Sequence, residues 1–340
     1  MTLQPSGSIV SHETSIRQAR LGSVEAVVLD NRSVRLTVVP ELGGKIASLI
    51  RNESGHEYLL QPTDPRCAYR TRSHGDLFEN HEPCGFDECV PTVAECVYRE
   101  EPFVARRLPD HGDIWGLPAA LEVVGEQITL TSCVTSLPLR FSKRIKLLEN
   151  TVRLDYEATN LSESTVKFLW SAHPLLRVEP GAEIILPREV EEVEVSWSKE
   201  GRLGKSGERC SWPKATGSSG QIVHINRVAS PSANSAEKLF TPRLSDGFCG
   251  VFLPRENESI VFCFDPSSVP YLGIWICQGG WPSSRTGKHL TVALEPCNGR
   301  PDSLEKAITR NECAVLGPCG TMQWWMEIAI DHGAPRSQQL

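Results

Sequence analysis

The stretch FSKRIKLLENTVRLDYEA, residues 141–158, decides the fold class. Residues 152–158 alternate apolar and charged side chains, which is typical of a β-strand with one buried face. Residues 141–147 alternate in a similar way, and the step Glu149-Asn150 between the two halves predicts a turn. The stretch therefore predicts a hairpin of two antiparallel strands.

Short strand-like segments recur along the rest of the chain. They are Glu25–Leu29, Val34–Val39, Ile128–Val134, Val166–Trp170, Ile260–Phe264, Leu290–Leu294 and Trp324–Ile330. Only Ser303–Thr309 suggests a short helix, and 26 Gly and 24 Pro provide turns between the strands. This pattern predicts an all-β protein, a large antiparallel β-sandwich, rather than a βαβ protein.

The 340 residues could form two average domains, but large sandwiches often fill this length with one core. We expect an N-terminal tail at 1–22, a single domain at 23–332 and a C-terminal tail at 333–340. Residues 198–221, rich in Gly, Ser and Lys, are the best candidate for a mobile loop. This loop would serve as a lid or be a simple insertion.

Charge and composition exclude several classes of partner. The formal net charge is −7 and no long Lys/Arg run occurs, which argues against a nucleic-acid partner. Neither a secretory signal nor an apolar run of membrane-spanning length is found. We therefore interpret the twelve cysteines as reduced thiols and expect a cytoplasmic protein.

Cysteine spacing and loop composition bear on cofactors. No C-x-x-C pair exists, and the closest cysteines, Cys84 and Cys89, are five positions apart, which is weak support for a metal site. A Gly-rich nucleotide-binding loop is also missing where a βαβ unit would need one. We expect neither a metal nor an organic cofactor.

Two segments place an ionisable residue at the end of an apolar run, directly before a proline. They are WSAHPLL, residues 170–176, and VALEPCNG, residues 292–299. A neutral-range pKa would let His173 donate or accept a proton, although a core histidine bonded to a carbonyl is the alternative. Glu295 is a carboxylate at a strand end, and its alternative role is a surface ion pair.

With three further motifs, these segments resemble the aldose 1-epimerase, or galactose mutarotase-like, superfamily. The motifs are PELGGKIASL at 40–49, PCGFDECVPTV at 83–93 and HGDIWGLP at 111–118. Together they follow the family's order over residues 25–330, and the likeness is to divergent bacterial branches that include hexose-phosphate mutarotases. The resemblance implies a large β-sandwich and a cofactor-free enzyme that interconverts the anomers of a monosaccharide.

The resemblance also implies catalytic roles. Glu295 corresponds to the general base, which removes the proton of the anomeric hydroxyl. His173 corresponds to the general acid, which protonates the ring oxygen as the ring opens. General acid-base catalysis typically contributes about 10² to 10⁴-fold. In this scheme the carboxylate is ionised and the imidazole is protonated, so the two should attract each other.

Other motif residues are candidates for substrate binding. His111 resembles the family's second histidine, and Trp115 would offer an apolar platform for a pyranose, although HGD is also a turn sequence. Asp246, in LSDGF, is a candidate for the hydroxyl-binding aspartate, but Asp-Gly favours a turn. Trp275 and Gln278, in YLGIWICQGGW, are expected near the cleft, with core packing as the alternative for Trp275.

The segment before residue 90 adds charged candidates. Arg72, like its neighbour Arg70, precedes the DECVP sequence much as an arginine precedes the equivalent loop in hexose-phosphate relatives, while structural salt bridging is the alternative. Asp87 and Glu88 are two adjacent acids, which suggests contacts to sugar hydroxyls and argues against a sugar phosphate.

The sequence departs from the family around the acid. Its Ser171-Ala172-His173-Pro174-Leu175 replaces the familiar Asn-His-Pro-Tyr-Phe and loses both the Asn and the aromatic residues. Two alternatives therefore stay open. One is a non-catalytic carbohydrate-binding protein with the same fold. The other is a glycoside hydrolase or lyase, which would need two carboxylates such as Glu88 and Glu295.

Overall fold

The structure, a computed structural model, describes residues 13–282 and 289–335. Strands dominate it, and they are short or of medium length. In chain order they are β1 (Ser15–Leu21), β2 (Val24–Asp30), β3 (Val34–Val39), β4 (Lys45–Arg51), β5 (Phe86–Cys89), β6 (Cys96–Val97), β7 (Arg107–Leu108), β8 (Ala120–Val124), β9 (Gln127–Cys133), β10 (Leu139–Leu148), β11 (Thr151–Asn160), β12 (Val166–Phe168), β13 (Ser171–Arg177), β14 (Glu183–Ile185), β15 (Glu192–Ser198), β16 (Arg209–Ser211), β17 (Lys214–Thr216), β18 (Ile222–His224), β19 (Ser235–Phe240), β20 (Phe248–Leu253), β21 (Glu258–Phe264), β22 (Tyr271–Gln278), β23 (Leu290–Cys297), β24 (Ala314–Leu316) and β25 (Thr321–His332).

Helices are few among the described residues. The α-helices are α1 (Pro65–Ala68) and α2 (Leu304–Arg310), and the 3₁₀ turns are Pro40–Leu42, Phe78–Asn80, Ile114–Gly116, Lys199–Gly201 and Pro231–Ala233. The predicted short helix at 303–309 corresponds to α2, and the Ser303 hydroxyl caps its start by accepting a hydrogen bond from the Lys306 amide. No helix of the described residues is long and apolar enough to cross a membrane.

Two large antiparallel sheets form the architecture. The first has eleven strands in the order β1-β2-β3-β4-β5-β13-β23-β22-β19-β15-β16. The second has eight strands in the order β14-β20-β21-β25-β11-β10-β9-β8. The predicted hairpin is β10 and β11, which pair from Leu139 with Asn160 to Leu148 with Thr151. The predicted all-β sandwich is thus confirmed.

Apolar side chains between the sheets form the main core. Residues of β11 that the alternation predicted to be buried, such as Val152 and Leu154, lie in this core with Leu294 and Ile274 of the first sheet. Burial of so many aliphatic and aromatic groups supplies most of the stabilisation, at roughly 25 cal/mol per Å² of apolar surface removed from water. The opposite face of the first sheet does not contribute to this core.

Two sequence expectations about chain segments change. The predicted tail at 1–22 includes strand β1, which pairs with β2 along Ser15–Leu21. Its alternation was missed because an edge strand is partly exposed on both faces. The segment at 198–221 carries a 3₁₀ turn and strands β16 and β17, and β16 pairs with β15. The cysteines whose side chains are described are free thiols, most of them buried or half-buried.

Candidate active site

The site lies on four neighbouring strands of the first sheet, β19, β22, β23 and β13. Because side chains alternate along a strand, each strand has one residue set in the core and one on the opposite face. The core set comprises Leu239, Ile274, Leu294 and Ala172. The opposite set comprises Lys238, Trp275, Glu295 and His173. Those four residues line one cavity of about 480 Å³.

The cavity combines aromatic walls with titratable groups. Its aromatic residues are Phe78, Trp197, Trp275 and Trp281. Its titratable residues include Asp110, His111, His173, Lys238, Glu295 and Asp302. A mainly apolar cleft with a few convergent polar groups is the usual form of a small-molecule site.

His173 and Glu295 face each other across adjacent strands. The β13–β23 register pairs Ser171 with Cys297 and Leu175 with Ala293, which puts His173 opposite Glu295. The distance from His173 Nε2 to Glu295 Oε1 is 3.9 Å. Neither Glu295 Oε1 nor His173 Nδ1 has a hydrogen-bond partner among the described residues, although both atoms are buried. Asp87 and Glu237 also carry such an oxygen, so it is the additional position of Glu295 and His173 on the cavity wall that makes them candidates for contact with a ligand.

Lys238 is a site residue that the sequence analysis missed. Its ammonium forms an ion pair with Glu295 Oε2 and lies 3.2 Å from Asp302 Oδ1. Burial alone would lower the pKa of Lys238, but the carboxylates of Asp302 and Glu295 outweigh it and raise this pKa. The lysine therefore stays charged and holds one oxygen of Glu295, while the other oxygen has no hydrogen-bond partner among the described residues.

Gly273 makes the ion pair between Lys238 and Glu295 possible. These residues lie on β19 and β23, and β22 runs between them with Gly273 paired to Glu295. A Cβ at Gly273 would lie 3.2 Å from Glu295 Oε2 and 3.3 Å from Lys238 Nζ. The missing side chain thus leaves room for the lysine to reach across one strand.

Burial also sets the protonation of the two facing groups. It raises the pKa of the Glu295 carboxyl, and the charge of Lys238 opposes this shift. The pKa of His173 lies well below its usual value because of burial and the positive charges of His111, Lys238 and Lys45. These directions favour the neutral form of His173 over the protonated imidazole that the resemblance implied, whereas the carboxylate of Glu295 is paired with Lys238.

His111 lines the cavity beside His173, with ring centroids 5.0 Å apart. Its ring stacks on Phe78 at 4.1 Å, and Asp110 accepts a 3.0 Å hydrogen bond from His111 Nδ1. Asp110 also accepts a 2.8 Å hydrogen bond from the amide of Phe78. Burial would raise the pKa of Asp110, but the bond and charge of His111 outweigh it and lower this pKa. Asp110 thus orients the histidine and leaves Nε2 for a ligand.

Trp115, the predicted platform, does not line the cavity. It is 3% exposed and packs behind Phe78, with ring centroids 5.3 Å apart. Its indole N–H donates to the carbonyl of Asp110. Phe78 takes the wall position instead, so Trp115 supports the site from behind.

Asp302 reaches the cavity from the loop between β23 and α2. Its carbonyl accepts hydrogen bonds from the amides of Val93 and Ala94, which dock this loop against residues 91–94. The side chain then meets Lys238. Two carboxylates therefore share one ammonium at the cavity floor.

Asp87, Arg72 and Glu88 do not line the cavity, contrary to expectation. Asp87 is 1% exposed and forms an ion pair with Lys45, and Arg72 lies 4.0 Å from the same carboxylate with its guanidinium over Trp115. Structural salt bridging, the alternative kept for Arg72, describes both residues.

Glu88 faces the second sheet instead. It follows Asp87 on β5, so its side chain points to the other sheet face. Its carboxylate accepts hydrogen bonds from Lys143, Tyr156 and Trp170 at 3.1, 3.0 and 2.8 Å. This interior position corrects the substrate-binding expectation for Glu88.

Asp246 and Gln278 are further corrections, whereas Trp275 does line the cavity. Asp246 is an exposed residue of the turn before β20, on the second sheet, and its amide donates to Glu189. Gln278 is buried, and its side-chain oxygen accepts a bond from the Ala229 amide. It lies three residues after Trp275, hence on the other strand face.

Solved structures of other proteins share this architecture. A Klebsiella pneumoniae protein provisionally named an aldose 1-epimerase matches with a TM-score of 0.70 and 12% identity, over 96% of this chain and 85% of that one. A galactose mutarotase related enzyme from Lactobacillus acidophilus has a TM-score of 0.64 and 15% identity, and the match covers 92% of this chain and 100% of that one. A galactose mutarotase-like protein from Clostridium acetobutylicum has a TM-score of 0.64 and 12% identity, and the match covers 94% of this chain and 99% of that one. No family model and no curated protein sequence matches this chain. At these identities the likeness concerns the fold, and the chain has the fold of the galactose mutarotase-like proteins.

Proposed function

We propose that this protein is an aldose 1-epimerase that interconverts the α and β anomers of a free sugar. The observation that carries the proposal is the buried, unpartnered Oε1 of Glu295, which faces His173 at 3.9 Å inside an aromatic cavity. Mutarotation needs one group that takes a proton from the anomeric hydroxyl and one that supplies a proton to the ring oxygen. The carboxylate of Glu295 and the imidazole of His173 are suited to that pair of transfers.

Glu295 Oε1 is the base in this scheme. It takes the proton of the anomeric hydroxyl while the bond between the anomeric carbon and the ring oxygen breaks and the carbonyl forms. Burial raises the pKa of Glu295, which strengthens its carboxylate as a base. Lys238, held between Glu295 and Asp302, keeps that carboxylate in place.

His173 supplies the proton to the ring oxygen from the N–H of a neutral imidazole, which becomes an imidazolate until the reverse transfer returns the proton. A neutral imidazole with a lowered pKa can act as an electrophile, because what disfavours the imidazolium also makes the remaining N–H more acidic. The charges of Lys238 and Lys45 act in this direction. Rotation about the adjacent carbon-carbon bond and reversal of both transfers give the other anomer and restore Glu295 and His173.

The hydrolase alternative loses its proposed carboxylate pair. Glu88 lies on the face of β5 directed to the second sheet, where three donors occupy its carboxylate. It cannot share a sugar with Glu295. A non-catalytic sugar-binding protein would use the same cavity and is distinguished by measuring catalysis.

Polarimetry of freshly dissolved α-D-glucose and α-D-galactose tests the proposal. The protein should accelerate the approach to the equilibrium rotation, and Glu295→Gln should lower this rate about 10² to 10⁴-fold. Glu237→Gln is the matched control, since Glu237 is a buried carboxylate of β19 that pairs with Arg202 and does not line the cavity. Binding of sugars without acceleration would support the binding protein instead, and an unchanged rate in Glu295→Gln would overturn the assigned base.

A further inference from the structure

Trp197 is unusual for a large aromatic residue because much of its surface is exposed. It is 42% exposed at the cavity wall, and its ring stacks on that of Trp275, with centroids 5.9 Å apart and 28° between the planes. An exposed aromatic ring stacked on a half-buried one beside a cleft is a candidate binding surface.

A β-bulge directs Trp197 toward the cavity. Strand β15 pairs Val195 with Leu239, but the next pair is Trp197 with Lys238, so the register shifts by one residue. An uninterrupted register would pair Trp197 with Glu237, whose side chain does not line the cavity. Bulges of this kind re-aim single side chains next to functional sites.

Trp197 and Trp275 lie beside the proposed catalytic residues Glu295 and His173 on the same face of the sheet. Trp275 pairs with Ala293, two residues before Glu295 on the same strand face. Two residues of a strand span about 7 Å, which is comparable to one sugar ring and its linkage. A ligand that holds its anomeric centre at Glu295 can therefore extend a second ring over Trp275 and Trp197.

Size and charge indicate what this second ring is. A volume of about 480 Å³ is within the range of pockets that enclose drug-sized ligands, which are larger than a single hexose. Among the described lining residues, the three carboxylates of Glu295, Asp302 and Asp110 outnumber the ammonium of Lys238 even when the charge of His111 is added to it, so an anionic extension is disfavoured. A neutral pyranose fits, because its C–H groups are attracted to the negative face of an aromatic ring.

We propose that the site accepts a reducing disaccharide, with the reducing sugar at Glu295 and His173 and the second sugar on Trp197 and Trp275. The inference rests on the proposed function for its reducing end, since mutarotation requires a free anomeric hydroxyl there. The second sugar must then be attached through another hydroxyl.

Calorimetry tests the sugar-binding part without catalysis. Methyl β-maltoside and methyl β-cellobioside, which cannot mutarotate, are compared with methyl β-glucoside. We expect at least one disaccharide to bind on the order of tenfold tighter than the monosaccharide, and Trp197→Ala to abolish this advantage. Trp325→Ala is the control, since Trp325 lies on the second sheet beside Arg153. Equal affinities for all three glycosides, or a disaccharide advantage that survives Trp197→Ala, would overturn the inference.

Polarimetry with maltose, cellobiose and glucose tests the catalytic part. Trp197→Ala should lower kcat/KM for the preferred disaccharide on the order of tenfold more than it lowers kcat/KM for glucose. Equal losses on all sugars would overturn the second-sugar position. Absence of mutarotation with every sugar would instead refute the proposed function, and the glycoside affinities would still decide whether the second sugar binds at Trp197.

Discussion

Glu88 and Glu295 are both nearly fully buried glutamates, each paired with a buried lysine, but they differ in how their carboxylates are satisfied. Both oxygens of Glu88 accept hydrogen bonds, from Lys143 and Tyr156 on one and from Trp170 on the other. Only one oxygen of Glu295 is engaged, by Lys238, and the other has no hydrogen-bond partner among the described residues. Burial raises the pKa of both carboxyls.

Under the proposed function, this difference separates a structural carboxylate from a reactive one. A fully satisfied buried network fixes the packing of its surroundings, and at Glu88 it joins the two sheets. An unsatisfied buried oxygen has a cost in free energy that a bound ligand can offset. Burial and a lysine partner are therefore common to both sites, and Glu295 differs from Glu88 by an unpartnered oxygen and by its position in the cavity opposite His173.

The largest expected effect is on stability. Glu88→Gln should lower the free energy of unfolding by about 3–5 kcal/mol, because Lys143 then stays buried without its carboxylate. Glu295→Gln should lower it by less than about 1 kcal/mol, since Lys238 keeps Asp302 as a partner. Urea unfolding of both variants measures this difference. Equal losses would show that the two ion pairs have the same role.

A smaller effect is expected on the pH dependence of mutarotation. Glu295 works as a carboxylate, so kcat/KM should fall as the pH decreases through its pKa. His173 works in its neutral form, and its pKa lies well below the usual value, so the rate should not fall as the pH rises from about 6.5 to 8. Lys238→Met removes a positive charge that lowers the pKa of Glu295, and the acidic limb should move up by about one pH unit.

Two controls accompany the pH measurement. Lys238→Arg keeps the charge and should restore much of the acidic limb. Lys143→Met should leave the limb in place, because Lys143 contacts Glu88 and not Glu295. If the rate of the unmodified protein decreases as the pH rises through 6.5, the neutral imidazole is contradicted and His173 acts as an imidazolium acid.

The smallest expected effect comes from Gly273→Ala. Its Cβ would press on Glu295 Oε2 and Lys238 Nζ at 3.2 and 3.3 Å, so the ion pair must shift by a few tenths of an ångström. We expect a loss in kcat of about three- to tenfold with little change in stability. Gly317→Ala is the control, since a Cβ there would meet no heavy atom within 4 Å. Equal rates in the two variants would show that Gly273 does not position the pair.

The sequence could predict the fold and part of the site for a physical reason. Strand alternation and turn residues are local, so the hairpin at 141–158 and the sandwich could be inferred directly. His173 and Glu295 stood out because each precedes a proline at the end of an apolar run. Motif order then suggested that these distant residues are neighbours, and the structure places them on adjacent strands.

The rest of the site depends on which face of each strand is covered. Asp87 and Glu88 looked equivalent as adjacent acids, but one lies in an ion pair with Lys45 and the other points to the second sheet. Lys238 and Glu237 are adjacent charges in the strand SAEKLF, and the sequence alone does not show that every residue of this strand is buried. The position of Trp197 depends on a register shift that period-two alternation does not predict.

The central claim is that Glu295 and His173 act together on one sugar ring, and a double-mutant cycle of mutarotation rates tests it most directly. We predict that Glu295→Gln and His173→Gln each lower kcat/KM by about 10² to 10⁴-fold. The variant with both changes should be no slower than the slower single variant, as found for residues that act as a unit. Losses that multiply in the double variant would show independent action and contradict the account.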